Sequence, residues 1–240
     1  MTSPISAQTL QEMRTYYRER AHEYDEWFLR QGRYSQGAEM DARWFAEVNE
    51  AFAALDTLRL AGDVLELAPG TGIWTERLVR TATTITAVDA SPEMIEINRA
   101  KVASDRVSYL QADLFSWHPE RTYDGVLFGF WISHVPLERL DGFLHSVAAM
   151  LRPGGKVFFM DGRRTPDGNF AHNQPPAQDS QLTTRILNDG RTFEIVKNYY
   201  DPVDLADKCR QAGFAITIRE TATYFLYGYG TRMETLGTDL

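Results

Sequence analysis

A chain of 240 residues is long enough to bury one sizeable core, and 43% hydrophobic with 24% charged side chains excludes disordered and fibrous classes. The 33 acidic against 25 basic side chains give a formal net charge of -8, with no basic stripe anywhere along the chain. Nucleic acid is therefore not the expected partner, because neutralising phosphates needs clustered lysine and arginine.

The first residues show no basic segment leading into an apolar run, so no signal peptide is expected. Residues 6–30 read as a helix, with Tyr17, Ala21, Tyr24 and Phe28 recurring on one face. Gly32 and Gly37 break that pattern. A second helix follows from about Glu39 to Leu58, carrying Trp44, Phe45, Val48, Phe52 and Leu55. These aromatic-faced helices, residues 1–58, are set apart from the alternating unit at 59–240.

Val64–Leu67 is a short apolar strand that runs into Pro69-Gly70-Thr71-Gly72, and Trp74–Arg80 continues as helix. Thr84–Val88 is a strand closed by Asp89. Ser91-Pro92-Glu93-Met94 then has the chemistry of a helix start, with a serine cap, proline at the first position and an acid in the first turn. Val107–Leu110, Gly125–Phe130 and Lys156–Met160 are further strands, and Leu137–Leu151 is a helix stopped by Arg152-Pro153-Gly154-Gly155. Apolar strands joined by helix-length connections predict a doubly wound α/β fold. The longest apolar run, Val126–Ile132, is far too short to cross a bilayer. Residues 164–181 are polar and proline-containing and read as a long surface loop. Beyond it come a strand at Phe193–Tyr200, a helix at Pro202–Gln211, and a closing pair at Phe214–Ile218 and Thr223–Tyr227. A lone cysteine, Cys209, rules out a disulfide framework and a cysteine-rich metal site, and no metal is expected. The expected compartment is the cytoplasm.

The chemistry concentrates where strands end. A strand entering Gly70-Thr-Gly72 lets backbone amides approach a ligand closely. A dinucleotide fingerprint would place a small residue at the last position of its glycine frame, where Thr75 stands instead. Glu66 at the strand end repels a pyrophosphate but suits an ammonium. Asp89 can accept from both hydroxyls of a ribose, and Asp113, after the third strand, can accept from an exocyclic amine. These features point to a nucleoside that carries positive charge.

Val64–Gly72, Val88–Met94, Gln111–Leu114, Tyr123–Phe130 and Leu151–Phe159 together resemble the successive motifs of class I S-adenosylmethionine-dependent methyltransferases. The resemblance covers about residues 60–162 in order and spacing, with Ala68 standing where the family often has glycine. It implies a seven-stranded, mostly parallel sheet with an antiparallel last strand, preceded by lid helices. S-adenosylmethionine would be the cofactor and S-adenosylhomocysteine the product. Carried onto this chain, Glu66 lies near the methionine amine, Ala68, Gly70 and Gly72 form the cofactor loop, and Asp89 with Ala90 meets the ribose. Met94 packs on the adenine, Asp113 and Leu114 read it, and the Phe130 backbone touches the methionine moiety. Tyr17, on a segment that resembles the lid helix of small-molecule members, lies against the cofactor.

His134, just past the fourth strand, is the expected general base, since an imidazole titrates near neutrality. Asp161 is second choice. Aromatic side chains, among them Tyr24, Trp27, Trp131 and Tyr200, are expected to line the pocket of a small aromatic or apolar acceptor, methylated at oxygen in preference to nitrogen or carbon. Two other classes remain open at this stage: a nicotinamide-dependent oxidoreductase, and a cofactor-binding relative without activity. The oligomeric state is not legible.

Overall fold

Four consecutive residues, Val64 to Leu67, are all buried, which requires a strand covered on both faces. That pattern governs the whole chain in the computed structural model, which describes residues 4–164, 175–177 and 180–234. In chain order the elements are α1 (Ala7–Arg20), α2 (Tyr24–Phe28), α3 (Ala38–Leu58), β1 (Gly62–Leu67), α4 (Thr75–Leu78), β2 (Ala82–Asp89), α5 (Pro92–Val102) and β3 (Val107–Gln111). There follow β4 (Tyr123–Gly129), α6 (Leu137–Met150), β5 (Leu151–Gly162), β6 (Leu182–Ile186), β7 (Thr192–Val196), α7 (Pro202–Gln211), β8 (Phe214–Glu220) and β9 (Phe225–Arg232).

Seven strands form one sheet in the order β3-β2-β1-β4-β5-β9-β8. β1 to β5 pair in parallel, and β9, the last strand of the chain, runs antiparallel between β5 and β8. The expected doubly wound sheet with an antiparallel last strand is what the chain builds. Side chains alternate between faces with the period of two that a strand imposes. Leu65, Val126, Phe128, Val157 and Phe159 face α6 and α7, while Val64, Leu127 and Phe158 face α3 and α4. Ser91 caps α5 by accepting from the Met94 amide, with Pro92 at the first helical position.

Three departures from the sequence reading matter. The helix expected over residues 6–30 is broken: α1 ends at Arg20, a single 3-10 turn covers Ala21–Glu23, and α2 starts at Tyr24. The break redirects α2, so that Asp25 accepts from Thr71 of the glycine loop and from Lys101 of α5. The helix expected at Trp74–Arg80 shrinks to Thr75–Leu78, with Trp74 buried against Phe52 and Phe158. Thirdly, β6 and β7 form a separate hairpin that packs on α1 through Leu10, Met13, Tyr16, Ile195 and Val196. The buried positions of β6 are Thr183 and Arg185, so the strand carries no apolar alternation to announce it. Most of the loop expected at residues 164–181 lies outside the described residues. Among the described residues no helix is long and apolar enough to cross a membrane.

Candidate active site

The carboxyl ends of β1, β2 and β4 converge on two adjoining cavities, as the crevice rule for open parallel sheets requires. The first is walled by Ala68 and Gly70 after β1, Asp89 to Ser91 and Met94 after β2, Asp113 to Phe115 after β3, and Gly129 to Trp131 after β4. Met13, Arg14, Tyr17 and Tyr24 close it from above. The second lies between α1, α2 and the chain that leaves β5 and β7. Four residues belong to both walls: Tyr17, Tyr24, Phe130 and His134.

The loop after β1 is shaped for close approach. Ala68 and Phe130 are held at φ 51° and 55°, a left-handed backbone that non-glycine residues adopt only when their surroundings impose it. A Cβ on Gly70 would meet nothing within 4 Å, so its exposed face opens toward the cavity. Gly72 is different. A Cβ there would come within 2.9 Å of Asn98, which marks it as a packing contact behind the loop.

Asp89 accepts from the Gly70 amide at 3.1 Å and from the Ser91 amide at 2.9 Å. Burial nevertheless raises its pKa to about 6, against the pull of those amides. Asp113 sits at the far end, partly exposed, and pairs with Arg14 of α1 at 2.6 Å. Glu66 does not reach the cavity wall. It is fully buried beside Asp89, Thr75 and Tyr109, and burial raises its pKa to about 8, with the Asp89 charge adding to that and the Thr75 hydroxyl opposing it. Neither Glu66 oxygen has a hydrogen-bond partner of good geometry among the described residues. This corrects the expectation that Glu66 faces a ligand ammonium: it lies beneath the loop, in the neutral form at neutral pH.

His134 also differs from expectation. Its Nδ1 lies 2.6 Å from the Val196 carbonyl and its Nε2 2.6 Å from the Tyr17 hydroxyl. A carbonyl only accepts, so Nδ1 carries the proton and Nε2 accepts from Tyr17. Burial, reinforced by the charge of Lys197, lowers the pKa of His134 to about 3. Both ring nitrogens are thus engaged within the protein and burial weakens the imidazole as a base, so the geometry does not favour the expected general-base role. Asp161, the second choice, is spent on Lys197, whose ammonium it holds at 2.8 Å, and on the Ser133 amide.

The other expected positions divide cleanly. Tyr17, Ala68, Gly70, Asp89, Ala90, Met94, Asp113, Leu114 and Phe130 line the first cavity, whereas Glu66 and Gly72 lie behind it. Tyr24 and Trp27 line the second cavity. Trp131 belongs only to the first, and Tyr200 to neither, its hydroxyl donating to the Ile132 carbonyl at 3.0 Å. Sequence reasoning missed the charge of the second cavity. Arg20, Arg163, Arg164, Arg185 and Lys197 line it, with no aspartate or glutamate among its described lining residues. Arg20 gave one signal: an arginine three residues after Tyr17, on the aromatic face of the helix.

Comparison with known proteins is decisive for the family. The methyltransferase-domain profile matches residues 37–218. A solved structure of the DhpI-SAM-HEP complex is 35% identical, with a TM-score of 0.78 over 94% of this chain and 99% of that one. This chain belongs to the class I S-adenosylmethionine-dependent methyltransferases. The demethylmenaquinone methyltransferase of Tropheryma whipplei is 29% identical over 65% of this chain and 67% of its own length. The ubiquinone biosynthesis O-methyltransferase of Xanthomonas euvesicatoria is 29% identical over 66% of this chain and 65% of its own. The chain thus spans about two thirds of these two relatives.

The first cavity of the methyltransferase fits S-adenosylmethionine on its own features. Gly70 leaves room for a ligand, Asp89 presents a carboxylate to the cavity, and Met94, Leu114 and Phe115 give an apolar seat for a flat base. The same features disfavour a dinucleotide, because two acids, Asp89 and Asp113, line its strand ends and among the described lining residues the one arginine, Arg14, is held by Asp113.

Proposed function

We propose that this methyltransferase esterifies an anionic oxygen of a small acidic acceptor. The single observation that carries the reading is the charge of the second cavity: five cations and no carboxylate among its described lining residues. Two of those charges are compensated within the protein, Lys197 by Asp161 and Arg163 by Glu220. Arg20 is not. It is 6% exposed, its guanidinium lies 5.0 Å from the Tyr24 ring centroid and 5.6 Å from that of Trp27, and no carboxylate pairs with it among the described residues. A buried cation without a counter-ion is expensive, and an anionic acceptor supplies the missing charge. Where the sequence led to the expectation of a small aromatic or apolar acceptor, this reading adds an acidic head to an aromatic-walled seat. That the relative DhpI is found with both SAM and HEP supports a small acceptor beside the cofactor.

Asp89 would hold the ribose, Met94 and Leu114 the adenine, and the backbone at Ala68 and Phe130 the methionine moiety. The cofactor supplies an electrophilic methyl on a sulfonium. The protein brings an acceptor oxygen through the wall shared by the two cavities and keeps water out. With both held in line, the acceptor oxygen's electron pair would form the new C–O bond and the S–C pair would return to sulfur. An acid ionised before it binds has no proton to lose, so the weakly basic His134 is no handicap. In-line placement in a dry site is then the main source of rate.

The test is transfer of labelled methyl to matched pairs of acceptors, each carboxylate, phosphate monoester or phosphonate set beside its neutral alcohol or amide, with HEP as one acceptor. Label should enter the acids and leave a product with one ionisable group fewer by mass and charge. Transfer confined to neutral phenols or amines would overturn the reading.

A further inference from the structure

The glycine loop is held from beneath by a side chain that lines neither cavity. Asn98 stands on α5 four residues beyond Met94, so the two share a helix face. Met94 reaches the wall of the first cavity, whereas Asn98 is fully buried behind the loop. Its Nδ2 donates to the Gly70 carbonyl at 3.2 Å and to the Thr75 hydroxyl at 2.9 Å, and its Oδ1 accepts from the Tyr109 hydroxyl at 2.8 Å. The Gly70 carbonyl only accepts, so the amide has one possible orientation and both hydrogens of Nδ2 are used. Gly72 makes room for it, since a Cβ there would come within 2.9 Å of the Asn98 side chain.

Gly70 passes this anchor on. Among the described residues it makes two hydrogen bonds: its carbonyl accepts from Asn98, and its amide donates to Asp89 Oδ2 at 3.1 Å. The other carboxylate oxygen, Oδ1, accepts from the amide of Ser91, the residue that caps α5. Each oxygen of Asp89 is thus fixed by one amide, and both amides are tied to the same helix, one through its cap and the other through Asn98. A carboxylate that accepts from two neighbouring hydroxyls tolerates little rotation, because both contacts weaken when its plane turns. Packing alone does not call for an amide at this position. A leucine of similar volume would fill the space without polar atoms to satisfy.

We propose that Asn98 is a positioning residue for cofactor binding: by anchoring the Gly70 carbonyl it sets the Gly70 amide, and with it the Asp89 carboxylate, in the orientation that meets both ribose hydroxyls. Tyr109 holds the amide from the other side, so three hydrogen bonds run from β3 through Asn98 and Gly70 to the end of β2. Without Asn98, Asp89 keeps its tie to Ser91 and loses the support behind its tie to Gly70. The inference rests on the ribose role proposed for Asp89, is independent of the acidity of the acceptor, and needs no acceptor for its test.

Calorimetric titration of the intact protein with S-adenosylhomocysteine, and with its 2′,3′-dideoxy analogue in competition, gives the ratio of the two affinities. In the wild type the analogue should bind about a hundredfold more weakly, the scale of two hydrogen bonds to a charged group. Asn98→Leu keeps the volume and removes the anchor, and the ratio should fall to about tenfold through loss of affinity for the ligand that carries the hydroxyls. Asn98→Asp keeps the shape but sets an acceptor against the Gly70 carbonyl, and should lower the ratio in the same way. Tyr109→Phe, at the half-buried end of the chain of bonds, should lower it by about twofold. A side chain that served only the stability of the loop would weaken both ligands by the same factor. A wild-type ratio in both Asn98 variants therefore overturns the proposal. Asp89→Asn separates the two readings. If it also keeps the wild-type ratio, Asp89 does not meet the ribose and the proposal falls with that role. If it abolishes the discrimination while the Asn98 variants retain it, the positioning role alone is wrong. An unchanged ratio in Tyr109→Phe takes the tyrosine out of the chain.

Discussion

Arg14 of the first helix reaches over the mouth of the cofactor cavity and pairs with Asp113 at 2.6 Å, joining the covering helix to the acid beyond β3. Asp25 makes a second tie from α2, to Thr71 and Lys101. Both ions of the first pair are about a third exposed, so the link is worth little to global stability. Its expected effect is on exchange. Arg14→Ala should speed cofactor dissociation several-fold in stopped-flow measurements while leaving the melting temperature within about 1 kcal/mol equivalent of the wild type. A large loss of stability with unchanged dissociation would mean that Arg14 serves the fold and not the cover.

Glu66 offers a test through pH. Its pKa is about 8 in the folded protein against an ordinary 4.5, because it is buried, with Asp89 nearby. Between those values the folded state holds a proton that the unfolded chain has lost, so its contribution to stability is full below about 4.5 and is lost as pH rises through about 8. The ligand-free protein should therefore melt at progressively lower temperature across that window. Glu66→Gln should flatten the decline, raise stability at alkaline pH, and leave cofactor affinity within about threefold, because the side chain lies behind the loop. A hundredfold loss of affinity in that variant would return Glu66 to the ammonium.

Asp89 should impose the pH dependence that His134 does not. Its carboxylate must be ionised to accept from two ribose hydroxyls, and its pKa in the ligand-free site is about 6. Cofactor affinity should be flat above that value and fall below it, approaching about tenfold per pH unit. Asp89→Asn should abolish the dependence and cost roughly ten- to hundredfold in affinity. Imidazole titration should add no step near neutrality, since His134 ionises at about 3. A rate profile with an inflection near 6.5 that disappears in His134→Gln would contradict this assignment.

The sheet was legible because β1, β2, β4 and β5 are short apolar runs and the turns between them use proline, glycine and capping serine. Asp89 and Asp113 were legible for the same reason, since the ends of those runs fix where an acid must stand. Glu66 misled: a strand residue one step from the loop can face either side, and pairing, not sequence, put it beneath. His134 was located but not understood, because its basicity depends on Val196 and Tyr17, which lie 62 and 117 residues away in the chain. β6 was hidden by the polar side chains that it buries. One of them, Arg185, lines the second cavity together with Arg20, which stands on a helix otherwise read for its aromatics.

Arg20 gives the last test, and it sets function against stability. The guanidinium is buried among the rings of Tyr16, Tyr24, Trp27 and Tyr34, with centroids 5.0–5.9 Å away, and its Nε has no hydrogen-bond partner among the described residues. Ring faces offset part of the desolvation of a cation, but not as a carboxylate would. Arg20→Met preserves most of the aliphatic length and removes the charge, so the ligand-free variant should be as stable as the wild type or more so. With the acidic acceptor the same variant should lose about a hundredfold or more in kcat/KM, mostly through KM, while binding S-adenosylmethionine normally. Arg20→Lys should recover only part of the loss, because an ammonium cannot reproduce a planar fork among aromatic faces. If Arg20→Met melts far below the wild type and still methylates acids with unchanged KM, the arginine is a structural element of the aromatic cluster and the acceptor's charge is met elsewhere.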